Sequence, residues 1–265
     1  MPWIARLALM MACSMPVFDS APTLAQQALG DGALSIDAAD GVEWRREERL
    51  FIAEGDAVAR QGDVVLNGQR LVAAYREDAA GDIQIFRLDA EGDVRIENKG
   101  DVASGARAAF DLDAGKIEMT GPGLRYENGD AAVTATETMT YDVKAKRAVA
   151  RGGAEVVDPN GRITASVIEA RFQGDGDALQ QATAAGNVVI TTPSEVIRAD
   201  RAAYDFMARK ATATGNVRIT RGRNVLTGER ADIDFATGIS RLSGGASGQG
   251  GGNRVRGLVF PNATK

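Results

Sequence analysis

Two pairs of carboxylates in this chain have a spacing that could do acid–base chemistry. Asp111 and Asp113, and again Asp232 and Asp234, stand two residues apart, so on an extended strand both members of a pair point to one side. Such pairs can act as acid and nucleophile in glycoside cleavage, which would suit a polysaccharide-acting enzyme. However, Asp111, Asp205 and Asp234 occupy one and the same position in three copies of a repeated unit. A catalytic pair breaks repeat symmetry, whereas a strand position facing solvent obeys it. No catalytic residue is therefore assigned, and the chain reads as a non-enzyme. The sequence contains no His, which excludes a Ser-His-Asp triad, a Cys-His pair and a His-bearing zinc site. No metal or other cofactor is implied. Arg218, Arg221, Arg223 and Arg230 cluster within one unit. Guanidinium groups match phosphate geometry, but a solvated face is the plainer reading. The net charge of −5, with acids and bases interspersed, argues against nucleic acid, whose backbone selects a basic face.

The elements that position these residues come from the repeat. Gly215 to Phe235 reproduces Gly186 to Phe206 at a shift of 29 residues, and Gly92 to Leu112 aligns with Gly186 to Phe206 at a shift of 94. Repetition at such a period implies stacked copies of one supersecondary unit. Lys210 to Thr220 and Val225 to Phe235 are two runs of eleven residues with alternating polarity and β-branched side chains, joined by Arg221 to Asn224. Alternation means strands, and the short connections mean antiparallel hairpins. Gly215 and Gly228 fall near the middle of each strand, where Gly marks a bulge or bend. Bends kept in register fold the sheet along a line. The expected architecture is therefore all-β, an elongated, V-shaped antiparallel meander of repeated hairpins. Insertions at 77–81 and 174–177 read as loops.

Alternation also assigns an inward face. Val217, Ile219, Ile233 and Phe235 are expected to point into the fold, as are their counterparts Val188, Ile190, Tyr204 and Phe206, and Val94, Ile96, Phe110 and Leu112. A closed aliphatic core and an open apolar groove alternate alike, so the pattern serves either. A structural β-solenoid with packed apolar stacks is thus a rival reading.

Residues 1–25 have the form of a secretory signal, with Arg6, an apolar run from Leu7 to Val17 and a small-x-small site at Thr23-Leu24-Ala25. The run is too short to span a bilayer. Cys13, the sole cysteine, then belongs to the removed segment, Met10-Met11-Ala12 being a poor lipobox. Residues 26–243 form the repeat-built domain, 244–253 a Gly-rich linker of flexible composition, and 254–265 a C-terminal strand and tail.

The opening Ile36-Asp37-Ala38-Ala39-Asp40-Gly41-Val42-Glu43-Trp44, the recurrent Gly-Asp/Asn-Val-x-Ile strands and the Ala-x-x-Ala-x-Tyr/Phe-Asp strands resemble the OstA-like, or LptA, family of lipopolysaccharide-transport proteins. The resemblance covers roughly Leu34 to Phe260. It implies a bent antiparallel β-jelly-roll with an end-to-end apolar groove. In the family, that groove binds the acyl chains of lipopolysaccharide and carries them across the periplasm from inner to outer membrane. The twelve inward residues named above would then line it. The resemblance further implies strand-edge pairing with related β-jelly-roll domains of inner- and outer-membrane components, and head-to-tail self-association through the strands near Ile36 and Arg254 to Phe260. The chain is long for the family's bridge protein, which leaves room for another member of the pathway.

Overall fold

The computed structural model describes residues 34–129, 131–159, 161–173, 178–234, 236–237, 239–244 and 254–260. The expected signal segment, most of the expected Gly-rich linker, the insertion at 174–177, Phe235 and the end of the tail lie outside the described residues. The described residues form strands joined by turns and bends, and every recorded strand pair is antiparallel. They divide into two units, with the boundary between Gly152 and Gly153.

In the N-terminal unit, β1 (Ser35–Asp37) and β2 (Gly41–Arg45) pair with the two halves of β3 (Leu50–Gln61). The meander continues through β4 (Val64–Glu77), β5 (Ile83–Asn98) and β6 (Asp101–Asp111). Then β7 (Lys116–Thr120) and β8 (Arg125–Asn128) share the two halves of β6. β9 (Ala131–Thr134) pairs with β8, and β10 (Thr138–Asp142) with β7 and the start of β11 (Arg147–Asp158).

The C-terminal unit runs through β12 (Gly161–Gln173), β13 (Ala178–Thr191), β14 (Val196–Asp205), β15 (Lys210–Arg221) and β16 (Asn224–Asp234), each paired with the next. β17 (Ile239–Ser243) and β18 (Arg256–Leu258) again divide one neighbour, β16, between them. The terminal strand is therefore shorter than the expected Arg254 to Phe260. The linker falls where the earlier split strands break.

The bend is a bulge of fixed chemistry. Two residues separate Arg198 from Arg201 on β14, but three separate Thr214 from Arg218 on β15. The extra space is taken by Gly215 and Asn216, both left-handed, with φ of 78° and 50°. The same Gly-Asp/Asn pair recurs at Gly55-Asp56, Gly92-Asp93 and Gly186-Asn187, again with positive φ at both positions, and a register shift accompanies each. An extra residue on one strand bends it and increases its twist. Asn and Asp tolerate the left-handed region better than other side-chain-bearing residues. Gly is required before them because a Cβ at Gly215 would sit 2.3 Å from Asp200 Oδ2. Gly228 differs from the expectation. It carries no bulge and no left-handed φ. Instead it lies directly opposite Val217, and a Cβ there would come within 2.9 Å of Leu242 Cγ and of the Ser243 carbonyl. It supplies room at the fold line rather than the bend.

The repeated Asp at the strand ends has a structural role that alternation alone does not reveal. Asp111, Asp142 and Asp205 each accept a hydrogen bond through Oδ1 from the backbone N–H three residues on, at 2.7–2.8 Å. Asp234 accepts from Ala236 and Thr237 at 2.9 and 3.1 Å. These carboxylates close the turns between strands, a preference of Asp rooted in its short acceptor side chain. Repetition follows because every turn needs the same cap.

The two cores are not alike. The N-terminal unit is filled by large side chains: Leu66, Leu71, Tyr75, Leu88, Val94 and Phe110 are each 1% exposed. The C-terminal unit buries mostly Ala and Val, in two small clusters around Val188 and Val217.

Candidate functional site

The inner face of the C-terminal unit is built in rows, because antiparallel register sets residues of successive strands side by side. On one side of the bulge, Ile163, Ile190, Ile197, Ile219 and Leu226 pair in sequence across β12 to β16. At the usual strand spacing of about 4.8 Å this is an aliphatic track on the order of 20 Å long. On the other side of the bulge, Ala184, Ala202, Ala213 and Ala231 make a row of methyl groups that ends at Leu242. Small residues here leave the facing isoleucines incompletely covered. Ile163, Ile190 and Ile219 remain half-buried and Leu226 is 38% exposed, while Ile197 in the middle of the row is buried. The N-terminal unit has an equivalent row, in which Ile96 lies between Leu66, which is 1% exposed, and Ala103, and is itself half-buried.

The residues expected to face inward therefore fall into two layers. Val94, Phe110, Val188, Tyr204 and Val217 are buried, the valines lying just past the bulge. Ile96, Leu112, Ile190, Phe206, Ile219 and Ile233 are half-buried. Phe235 lies outside the described residues. The buried set forms the floor of the fold, and only the half-buried set presents apolar surface. Tyr204 packs edge-on against Phe206, with ring centroids 4.4 Å apart, and burial pushes its phenol above the usual tyrosine pKa. Neither sequence alternation nor repetition reveals the layer a residue belongs to. The signal was nevertheless present: Val follows the Gly-Asp/Asn pair, and Ile comes two residues later.

The outward face is polar and paired. Arg87 with Asp89, Arg95 with Glu97, Arg125 with Glu127, Arg171 with Glu169, and Arg230 with Asp232 form ion pairs between residues two apart on one strand, at 2.5–3.0 Å. The Arg230 guanidinium holds the Asp232 carboxyl below the usual carboxylate range, helped by Thr212. Asp232 is thus tied to cations and a hydroxyl rather than to Asp234, and Asp113 is likewise tied to Arg76 at 2.6 Å. The spacing that suggested carboxylate pairs arises from turn caps and surface ion pairs. Of the four clustered arginines, Arg221 pairs with Glu195, Arg230 with Asp232, and Arg223 lies 4.3 Å over the Phe260 ring. Among the described residues Arg218 has no such partner.

Both ends of the strand series are open edges among the described residues. β2 carries Val42 and Trp44 at 49% and 45% exposure. Trp44 is held by a hydrogen bond from its Nε1 to the Tyr75 hydroxyl at 2.8 Å and by stacking on Phe51. At the other end, Leu258, Val259 and Phe260 are exposed.

Compared with known proteins, the sequence matches the family model described as LptA/(LptD N-terminal domain) LPS transport protein, over residues 36–147 and 196–254. The gap between these segments still contains Gly186-Asn187 with its bulge. No curated protein matches the chain. Among solved structures, LptH from Pseudomonas aeruginosa, the LptA homologous periplasmic component of a lipopolysaccharide transport device, is similar with 16% sequence identity and a TM-score of 0.42. The match covers 49% of this chain and 95% of that one.

Proposed function

Because this chain belongs to the LptA/LptD N-terminal family of lipopolysaccharide transport proteins, which are transport proteins and not enzymes, we propose that it holds lipopolysaccharide acyl chains on the inner face of its bent sheet and passes them across the periplasm from inner to outer membrane. The observation that carries this reading is the aliphatic row Ile163, Ile190, Ile197, Ile219 and Leu226, in which all but the buried Ile197 keep exposed apolar surface. Each CH₂ moved from water onto such a surface gains about 0.8 kcal/mol. The contact is non-directional, so a chain can slide from one repeat to the next without breaking a specific bond. A packed structural solenoid would cover that row with large side chains. The open edges at β2 and at β17 and β18 suit pairing with like edges of partner domains or of a second copy, a general recognition mode for exposed strands.

The test is photocrosslinking. A probe at Ile219 and another at Asp232, in the processed chain incubated with lipopolysaccharide, sample the inner and outer faces of the same hairpin. Adducts are expected from Ile219 and few from Asp232. Equal yields, or none from either, would remove the inner face as the carrier surface.

A further inference from the structure

On the outer side of the fold line in the C-terminal unit lies a hollow of about 630 Å³ whose rim includes Arg218, Arg254 and Arg256, with Glu229 the sole carboxylate and Val217 and Gly228 among its other lining residues. It opens between the end of β17 and the start of β18, where, among the described residues, neither strand pairs with Gly228 or Glu229 of β16. The register fixes the arginines relative to one another. Arg218 pairs with Thr227, and Thr227 with Arg256, placing the two guanidinium-bearing residues two strands apart, about 10 Å. Arg198 sits directly opposite Arg218 on the next strand. Like charges opposite each other destabilise a sheet. Elsewhere on this surface arginine is repeatedly neutralised by an acid two residues away. Among the described residues Arg198, Arg218, Arg254 and Arg256 make no ion pair. A sheet that keeps uncompensated cations around a hollow has a use for an anion there.

We propose that this hollow binds a phosphate group, and specifically the phosphorylated head group of the lipid whose acyl chains occupy the inner face. The proposal rests on the transport reading above. The hollow adjoins the inner face at the fold line: Val217 contributes to the buried inner cluster and also lines the hollow. A lipid lying along the inner face thus has its polar end within reach of the arginines. Guanidinium groups bind phosphate oxygens through charge-assisted, often bidentate hydrogen bonds, and three around one opening suit a dianion.

The experiment uses the processed chain and two variants, R218Q/R256Q and, as a control on a paired outer arginine of the other unit, R95Q. Binding is measured by calorimetry for lipopolysaccharide, for the same lipopolysaccharide treated with phosphatase, and for inorganic phosphate alone. The unaltered chain is expected to prefer the phosphorylated lipid, and R218Q/R256Q to lose about ten-fold in affinity for it while binding the dephosphorylated lipid unchanged. R95Q should behave as the unaltered chain. Without ligand, R218Q/R256Q should unfold at the same temperature or higher, since it relieves the Arg198–Arg218 repulsion, whereas a merely structural role predicts a loss. No preference for the phosphorylated lipid, or a preference that survives R218Q/R256Q, overturns the proposal. Arginine-dependent binding of inorganic phosphate by a chain that binds neither lipid would refute the transport reading and reassign the hollow to free phosphate.

Discussion

Asp205 shows how one residue type acquires a repeated position. Its side chain ends a strand and accepts the Ala208 N–H at 2.8 Å, as Asp111 and Asp142 do for Ala114 and Ala145. Replacing a turn or cap acceptor of this kind by Ala costs typically about 1 kcal/mol. Asp205→Ala is therefore expected to lower the thermal midpoint by roughly 2–4 °C, the shift such a loss produces in a chain of this size. Lipid crosslinking from Ile219 should be unchanged. Calorimetry of the variant beside the crosslink checks both halves, and a loss of crosslinking at an unchanged midpoint would give Asp205 a role beyond the turn. The recurrence of these aspartates is legible in the sequence, but their partner is not. A carboxylate that faces water and one that closes a turn obey the same repeat.

At the scale of the strand, the controlling element is the Gly-Asp/Asn bulge. Gly215→Ala places a Cβ at φ 78° and 2.3 Å from Asp200 Oδ2. Left-handed backbone costs a side-chain-bearing residue about 1–2 kcal/mol, and the displaced Asp200 also loses its hydrogen bond from Asn216 Nδ2, at 3.0 Å. Gly222→Ala meets the same backbone strain, at φ 56°, but has nothing within 4 Å of the added carbon. Urea denaturation should rank G215A as clearly the more destabilising of the two. Equal losses would mean that the bulge geometry is not enforced by the neighbouring strand. Strand positions and hairpins were readable because alternation and β-branching are local. β15 and β16, for instance, lie within one residue of the runs at Lys210 to Thr220 and Val225 to Phe235. The division of work between Gly215 and Gly228 was not readable. One glycine is required by its own φ and the other by a leucine on a strand that arrives later in the chain.

At the largest scale, β2 in one unit and β17 and β18 in the other are unpaired strand edges among the described residues, which in a lone protein invite unwanted association. β18 covers only the outer part of β16, through Val225, Leu226 and Thr227, and brings exposed Leu258, Val259 and Phe260 beside it. Phe260 is fastened there by its backbone N–H to Asn224 Oδ1 at 2.8 Å and by Arg223 over its ring. If this end docks a second copy, ending the chain at Ser243 should lower the mass measured by multi-angle light scattering toward that of a monomer. An unchanged mass would exclude β18 from the contact.

By itself the sequence determined the strand class, the hairpin repeat and a bend at Gly215, because each depends on neighbours close along the chain. The absence of histidine and the repeat symmetry of the aspartates likewise disposed of the commonest catalytic readings without a structure. Only the tertiary structure decided which inward residues are floor and which are surface, because coverage depends on the size of side chains facing them from another strand or beyond the bend. Ile219 and Ile96 stay half-open, whereas Val217 and Val94, two residues earlier on the same strands, are buried. Only the structure, too, brought Arg256 into register two strands from Arg218 across a linker. That gathering of charge is a product of strand pairing, and no local pattern in the sequence encodes it.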